Sequence, residues 1–159
     1  MKRFDLRLLL IKAYVRHLYW AHGRKYPEDF EASIRGGPRL YKYLRGIHAK
    51  RVLDIRPTPS YVGSYIVGAL PEDGRLISIL TDGWTDLTMF VPKPLSHRWL
   101  IQRGEWAKTH IADESADAII LGQPEGAWGK EAQRFLKTGG VIVDERSFIR
   151  RFEAEEIEG

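Results

Sequence analysis

From residue 51 to residue 143, short apolar runs alternate with helical segments, and this alternation limits the possible folds more than any other feature of the chain. The five apolar runs with the length of buried strands are residues 52–55, 76–80, 99–101, 118–121 and 141–143. Strands that alternate with helices form βαβ units, whose parallel strands are covered by helices on both faces. Because crossovers are right-handed, we expect a three-layer, doubly wound α/β sandwich of about five parallel strands. The expected strand order is 3-2-1-4-5, which is common among doubly wound sheets.

Helical periodicity predicts an extension of two helices ahead of the sheet. The first helix is expected over residues 3–20, because apolar residues recur there at intervals of three and four. Its apolar stripe consists of Phe4, Leu8, Ile11, Val15 and Leu18. The second helix is expected to begin at Pro38, since a proline at the first helical position gives up no needed N–H group. Its apolar stripe consists of Leu40, Tyr43, Leu44 and Ile47.

Within the alternating region, two further helices have recognisable ends. A helix is expected from about Ser60 to Leu70, with Ser60 as its N-cap. Another is expected from about Glu125 to Lys137, where the following pair of glycines, residues 139–140, suits a left-handed C-cap. Two prolines, at positions 92 and 94, interrupt the connection between the second and third strands, so a short or distorted crossover helix is expected there.

The charge is divided unevenly along the 159 residues, whose net charge is +4. Residues 1–51 hold 13 Lys+Arg and 4 Asp+Glu, a net +9, whereas the remainder has a net charge of −5. Three cations share one side of the second helix; they are Arg39, Lys42 and Arg45. Two interpretations stay open: a solvated basic face, or a face that contacts the phosphates of a nucleic acid.

Several classes of protein are excluded by composition. The chain has no cysteine, so a disulfide scaffold and a thiolate zinc site are ruled out. Its five histidines lack the HxxxH and HxH spacings, and no metal site is predicted. The apolar stretch nearest the start is four residues long, too short for a membrane span or a signal sequence, so no membrane partner and a cytoplasmic location are expected.

Three segments carry more specific patterns. The strand Val52–Ile55 contains an acid and leads through a tight turn into Tyr61–Ser64. Residues 115–121 read Ser-Ala-Asp followed by apolar residues, and residues 135–143 read Phe-Leu-Lys-Thr-Gly-Gly-Val-Ile-Val. In this order the three segments resemble the motifs of the class I S-adenosylmethionine-dependent methyltransferases. The resemblance covers about residues 51–143 and implies a Rossmann-like fold, S-adenosylmethionine as cofactor, and methyl transfer as the activity.

The family's glycine loop, Asp-x-Gly-x-Gly-x-Gly, is matched with departures. Its acid aligns with Asp54, which the resemblance assigns to the amino-acid end of the cofactor; the alternative is a carboxylate that caps the next helix. Its glycines align with Arg56, Thr58 and Ser60. These residues keep their N–H groups, but side chains occupy space that glycine leaves open for a ligand. Prolines between them predict a stiff, extended loop.

Three further site residues follow from the resemblance. The family's ribose-binding acid aligns with Leu80, and Asp82, two residues later, is its expected substitute. Glu105 resembles the acid near the adenine amino group, the alternative being an exposed loop glutamate. Gln123, followed by proline, resembles the Asn/Asp-Pro-Pro signature of amino-group methyltransferases, in which a side-chain carbonyl accepts a hydrogen bond from the target amine. Gln123 is therefore the catalytic candidate.

The chain is predicted to form one domain, residues 1–159, made of a basic helical extension (1–50), a Rossmann-like core (51–145) and an acidic tail (146–159). Sixteen residues follow the fifth strand, whereas the family's core has two more strands there. Either a second subunit supplies strands, or the sheet is a minimal one. Two functions stay open: a small methyltransferase acting on an anionic acceptor such as nucleic acid, or a non-catalytic binding or structural module that has lost the cofactor.

Overall fold

A computed structural model describes residues 4–56, 61–80, 97–103, 113–122 and 128–144. Its elements, in chain order, are α1 (Leu6–Ala21), α2 (Pro27–Gly46), β1 (Arg51–Arg56), α3 (Val62–Ala69), β2 (Arg75–Leu80), β3 (Trp99–Arg103), β4 (Ala116–Leu121), α4 (Trp128–Phe135) and β5 (Leu136–Asp144). The crossover prolines and the acidic tail of the sequence prediction lie outside the described residues.

The described strands form one parallel sheet in the order β3-β2-β1-β4-β5, which confirms the predicted topology. The central strand β1 pairs with β2 on one side and with β4 on the other. Its register with β2 places Asp54 beside Ser78 and Arg56 beside Leu80. Since all five strands are parallel, their carboxyl ends lie at one edge of the sheet, where open α/β sheets bind ligands.

The two faces of the sheet pack against different layers. Alternate strand residues point to opposite faces, so that Val52 and Leu76 pack with α1, α2 and α3, whereas Leu53 and Ile79 pack with Phe135 of α4. The first face has the larger buried cluster, since the N-terminal helices cover it together with α3. The helical extension is therefore part of the hydrophobic core rather than an appendage.

Helix α1 has its predicted position, but its first apolar residue does not join the core. The Asp5 carboxylate caps the helix by accepting a hydrogen bond from the Leu8 N–H at 3.1 Å. Val15 and Leu18 are buried as the stripe predicts. Phe4, however, is 77% exposed, because it precedes the N-cap and lies outside the helix.

The predicted start of α2 is wrong. The helix begins at Pro27 and continues through Pro38, which lies in its interior. The glycines before Pro38 do not end the helix. A methyl group at Gly37 would overlap the ring of Tyr65 in α3, so the absence of a side chain at Gly37 lets α2 pack closely against α3. Close packing of α2 on α3 offsets the local cost of a helical glycine and an interior proline.

The boundary between α4 and β5 also differs from the prediction. Helix α4 ends at Phe135, and β5 begins at Leu136 rather than at residue 141. Gly139, with φ of +81°, lies inside this strand instead of forming a helix C-cap. A register shift between Ala116 and Ala118 accompanies the irregularity, and glycine accommodates the left-handed conformation that such an irregularity requires.

Helix α3 begins after Tyr61, and the predicted N-cap, Ser60, lies outside the described residues. Among the helices that the structure describes, no helix is long and apolar enough to cross a membrane.

Candidate functional site

The candidate site is the carboxyl edge of the sheet, where β1, β2 and β4 end. Two of the predicted cofactor-binding residues, Asp54 and Arg56, are described, and both belong to β1. The other predicted residues lie outside the described segments; they are Thr58, Ser60, Asp82, Glu105 and Gln123. The geometry of the site is therefore the geometry around the end of β1.

Asp54 and Arg56 form a buried ion pair at the end of β1. Because they are two residues apart in a strand, their side chains emerge on the same face of the sheet. The Arg56 Nε donates to both carboxylate oxygens of Asp54 at 2.9 Å, and Nη2 donates to Oδ1 at 2.6 Å. The residues are 2% and 6% exposed. A guanidinium group pairs strongly with a carboxylate in such a geometry, so Arg56 neutralises Asp54 within the protein.

Two neighbouring strands extend this pair into a polar network. Ser78, the neighbour of Asp54 in β2, donates its hydroxyl to Asp54 Oδ2 at 3.3 Å. The indole Nε1 of Trp99 in β3 donates to the Ser78 hydroxyl oxygen at 2.9 Å. Ser78 and Trp99 were not among the predicted site residues. The alternation of side chains along each strand indicates which residues face the same side of the sheet. Only the register between strands shows which of those residues are neighbours.

Two glycines allow close packing around this network. A methyl group at Gly63 in α3 would overlap the Trp99 ring, so the absence of a side chain lets the indole lie against the helix. Gly122, after β4, donates its N–H to the Ile55 carbonyl at 2.9 Å, and a Cβ there would come within 2.9 Å of the Arg56 Cβ. The stem of Arg56 is thereby confined between β1 and the end of β4.

The N-terminal extension contacts the start of α3. Asp29 of α2 accepts a hydrogen bond from the Tyr61 N–H at 3.0 Å, and the Tyr61 hydroxyl donates to the Lys25 carbonyl at 2.7 Å. Burial, with the nearby charge of Asp29, raises the pKa of Tyr61 to about 12. Tyr61 therefore stays a neutral donor at physiological pH. These bonds connect the helical extension to the chain that follows the glycine-loop positions.

Arg39, Lys42 and Arg45, the α2 cations, do not form a row of three equivalent charges. The Arg45 Nη1 is 3.2 Å from the Asp5 carboxylate and 2.8 Å from the Tyr41 hydroxyl, which itself donates to Asp5 at 2.9 Å. Arg39 is partly buried, whereas Lys42 is exposed. Because Asp5 offsets one of the charges, the positive potential of this face is weaker than the sequence suggests.

Asp117 organises the opposite, amino edge of the sheet. Its carboxylate accepts hydrogen bonds from the N–H groups of Lys50 and Arg51 at 2.9 Å, and Lys137 Nζ lies 3.6 Å from it. Burial acts to raise the pKa of Asp117, but the two N–H groups and the Lys137 ammonium group together hold the pKa below its ordinary value. Asp117, which follows Ser-Ala in one of the motif segments, thus joins β4 to the start of β1.

Solved structures show where this fold occurs among known proteins. A methyltransferase from Podospora anserina bound to S-adenosylhomocysteine is 13% identical, with 98% of this chain and 80% of that chain aligned and a TM-score of 0.59. The O-methyltransferase TomG from Streptomyces achromogenes, in complex with S-adenosylmethionine, is 17% identical, with coverages of 96% and 78% and a TM-score of 0.55. A Bacillus cereus O-methyltransferase in complex with S-adenosylhomocysteine is 15% identical, with coverages of 100% and 82% and a TM-score of 0.52.

No family model and no curated protein matches the chain. The structural likeness extends over nearly the whole chain and includes the helical extension. The protein has the class I S-adenosylmethionine-dependent methyltransferase fold, as the sequence motifs predicted.

Proposed function

We propose that the protein is a small S-adenosylmethionine-dependent methyltransferase whose cofactor binds at the carboxyl edge of the sheet. The observation that carries this proposal is the five-stranded parallel sheet in the order 3-2-1-4-5, with Asp54 buried near the end of its central strand. Solved methyltransferases that hold S-adenosylmethionine or S-adenosylhomocysteine share this fold.

In this proposal the chain contributes mainly by holding two molecules in line. S-adenosylmethionine supplies an electrophilic methyl group on a sulfonium centre. Asp54 faces the amino-acid end of the cofactor, and Gln123 orients the acceptor by accepting a hydrogen bond from it. The remaining residues that would surround the cofactor are Arg56, Thr58, Ser60, Asp82 and Glu105. Positioning of this kind lowers the barrier through entropy, without a dedicated acid or base.

The described residues fit the cofactor in one respect and oppose it in another. A buried carboxylate near the end of β1 is a suitable partner for an ammonium group. However, both oxygens of Asp54 accept hydrogen bonds from Arg56. This pairing favours a second candidate function, a non-catalytic binding or structural module of the same fold.

Calorimetric titration with S-adenosylmethionine and S-adenosylhomocysteine separates the two candidates. The methyltransferase proposal predicts measurable heat and a rise in melting temperature with millimolar ligand, because a ligand that binds only the folded state stabilises it. Folded protein that shows neither effect would leave the non-catalytic module as the function.

We further propose that residues 1–159 act as one domain in the cytoplasm. The packing of α1 and α2 against the sheet supports a single unit. We also propose an anionic acceptor such as nucleic acid, a proposal motivated by the net +9 of residues 1–51.

A further inference from the structure

Arg56 supplies, from within the chain, the cation that Asp54 would otherwise take from a ligand. The pair is nine-tenths or more buried, and the guanidinium contacts both oxygens of the carboxylate. Ser78 donates to the same carboxylate, so the hydrogen-bonding capacity of Asp54 is largely used within the protein. Among the described residues, Asp54 and Arg56 are the two charged side chains that are buried.

The amino-acid end of S-adenosylmethionine carries an ammonium group as well as a carboxylate. Its ammonium group and the Arg56 guanidinium would compete for the same two oxygens of Asp54, which already accept hydrogen bonds from Arg56 and Ser78, and two cations in contact at a buried site repel each other. The guanidinium of Arg56 and the ammonium of the ligand therefore exclude each other at Asp54. We infer that Arg56 is a built-in competitor for the cofactor's ammonium group, so that a ligand with an amino-acid end binds only by displacing Arg56 from Asp54.

The surroundings of Arg56 make this displacement costly. Its Cβ lies close to Gly122, where a side chain at position 122 would overlap it. The Asp54 carboxylate is also held by Ser78, which is fixed by Trp99. A moving guanidinium therefore leaves behind an oriented carboxylate, and an incoming ammonium group must compensate for the whole lost ion pair. This inference rests on the proposed cofactor binding and specifies how that binding is regulated.

The Asp54–Arg56 pair should discriminate between ligands with and without an amino-acid end. An adenosyl thioether without an amino-acid end, such as 5′-methylthioadenosine, does not require the Asp54–Arg56 pair to open. S-adenosylhomocysteine has the same adenosyl thioether together with an amino-acid end, and it does require opening. We expect the wild-type protein to bind methylthioadenosine at least as tightly as S-adenosylhomocysteine.

The test compares these two ligands by calorimetry on wild-type protein and on the Arg56→Gln variant. Glutamine keeps a hydrogen-bond donor near Asp54 but removes the competing charge, and this choice avoids the bare buried carboxylate that Arg56→Ala would leave. The matched control is Arg134→Gln, at an arginine that forms a half-exposed ion pair with Asp113 at 3.1 Å. All variants are first shown to be folded by circular dichroism.

The expected result is that Arg56→Gln binds S-adenosylhomocysteine at least about tenfold more tightly than the wild type, with methylthioadenosine affinity unchanged within about twofold. Arg134→Gln should match the wild type for both ligands. The wild-type comparison needs no variant and keeps the inference testable if Arg56→Gln does not fold.

Three results would count against the inference. Wild-type protein that prefers S-adenosylhomocysteine by about tenfold or more would show that the pair does not compete with the amino-acid end. Weaker S-adenosylhomocysteine binding in Arg56→Gln would instead make Arg56 a partner of the ligand's carboxylate. In both cases the proposed function survives. If no folded variant binds either ligand, the proposed function fails, and the inference fails with it.

Discussion

The substitution Asp54→Asn tests the buried ion pair with almost no change in shape. It removes the negative charge while Arg56 remains 6% exposed among the residues that surround it. Breaking a buried ion pair by removing one partner costs about 3–5 kcal/mol, because the remaining charge keeps its desolvation cost and loses the attraction of that partner. We expect the free energy of unfolding to fall by that amount. With a urea m value of about 2 kcal/mol per molar, the midpoint falls by about 2 M.

The assay is urea unfolding followed by far-UV circular dichroism and by tryptophan fluorescence. The two signals should coincide if the transition is two-state, and Trp99 lies within the network itself. The control is Asp113→Asn, which removes the carboxylate of a solvent-accessible pair. Pairs of that kind contribute about 0.2–1 kcal/mol, so the control should remain close to the wild type.

A double substitution separates loss of the pair from loss of a single partner. Replacing Asp54 by Leu and Arg56 by Met removes both charges, and the double variant should be within about 1 kcal/mol of the wild type or more stable. Each variant with a single substitution should be much less stable than the double variant. If Asp54→Asn lowers the free energy of unfolding no more than the Asp113→Asn control, the charges of Asp54 and Arg56 are not held together out of water. Arg56 would then not act as an internal competitor at Asp54.

Three further outcomes are expected. Gly63→Ala should lower the free energy of unfolding by about 1–3 kcal/mol, because overpacking against Trp99 costs more than the gain in helix propensity. Gly68 faces the flexible end of Ile11, so Gly68→Ala should lower it less, and equal effects of the two substitutions would contradict this reasoning. Asp117→Asn should reduce the free energy of unfolding at neutral pH. The difference from the wild type should shrink as pH falls through the lowered pKa of Asp117, because protonation then removes the same charge from the wild type. A difference in urea titrations that does not change with pH would refute this electrostatic explanation. If nucleic acid is the acceptor, alanine at all three α2 cations should weaken duplex binding and flatten its salt dependence; wild-type protein without salt-dependent binding would leave these cations as a solvated face.

The parallel, doubly wound sheet was predictable because it follows from general rules. Apolar runs of strand length separated by helices imply parallel pairing, and right-handed crossovers restrict the topology. The structure confirms that the sheet has the order 3-2-1-4-5. The buried stripe of α1 was predictable for a similar reason, since Val15 and Leu18 follow the helical period. These features depend on local periodicity, and the sequence displays periodicity directly.

The errors occurred where long-range contacts outweigh local preference. Pro38 and the glycines before it have the local character of a helix boundary, yet α2 runs through them, because Gly37 lets α2 approach the ring of Tyr65. Gly139 has the local character of a helix C-cap, yet it lies within β5, where pairing with β4 supplies the hydrogen bonds. Neither partner is near in sequence, so propensity alone could not predict these boundaries.

Some features of the candidate site were also predictable from local sequence, and others depend on long-range contacts. An acid, Asp54, and an arginine in place of glycine, Arg56, are visible in the sequence two residues apart near the end of the first strand. The pairing of Arg56 with Asp54 and the contacts of Ser78 and Trp99 with that pair depend on how the strands assemble. An arginine at the end of a strand can extend into water at little cost. It pairs with a neighbouring carboxylate when burial by surrounding elements removes that water and makes the ion pair the favourable partner for both charges.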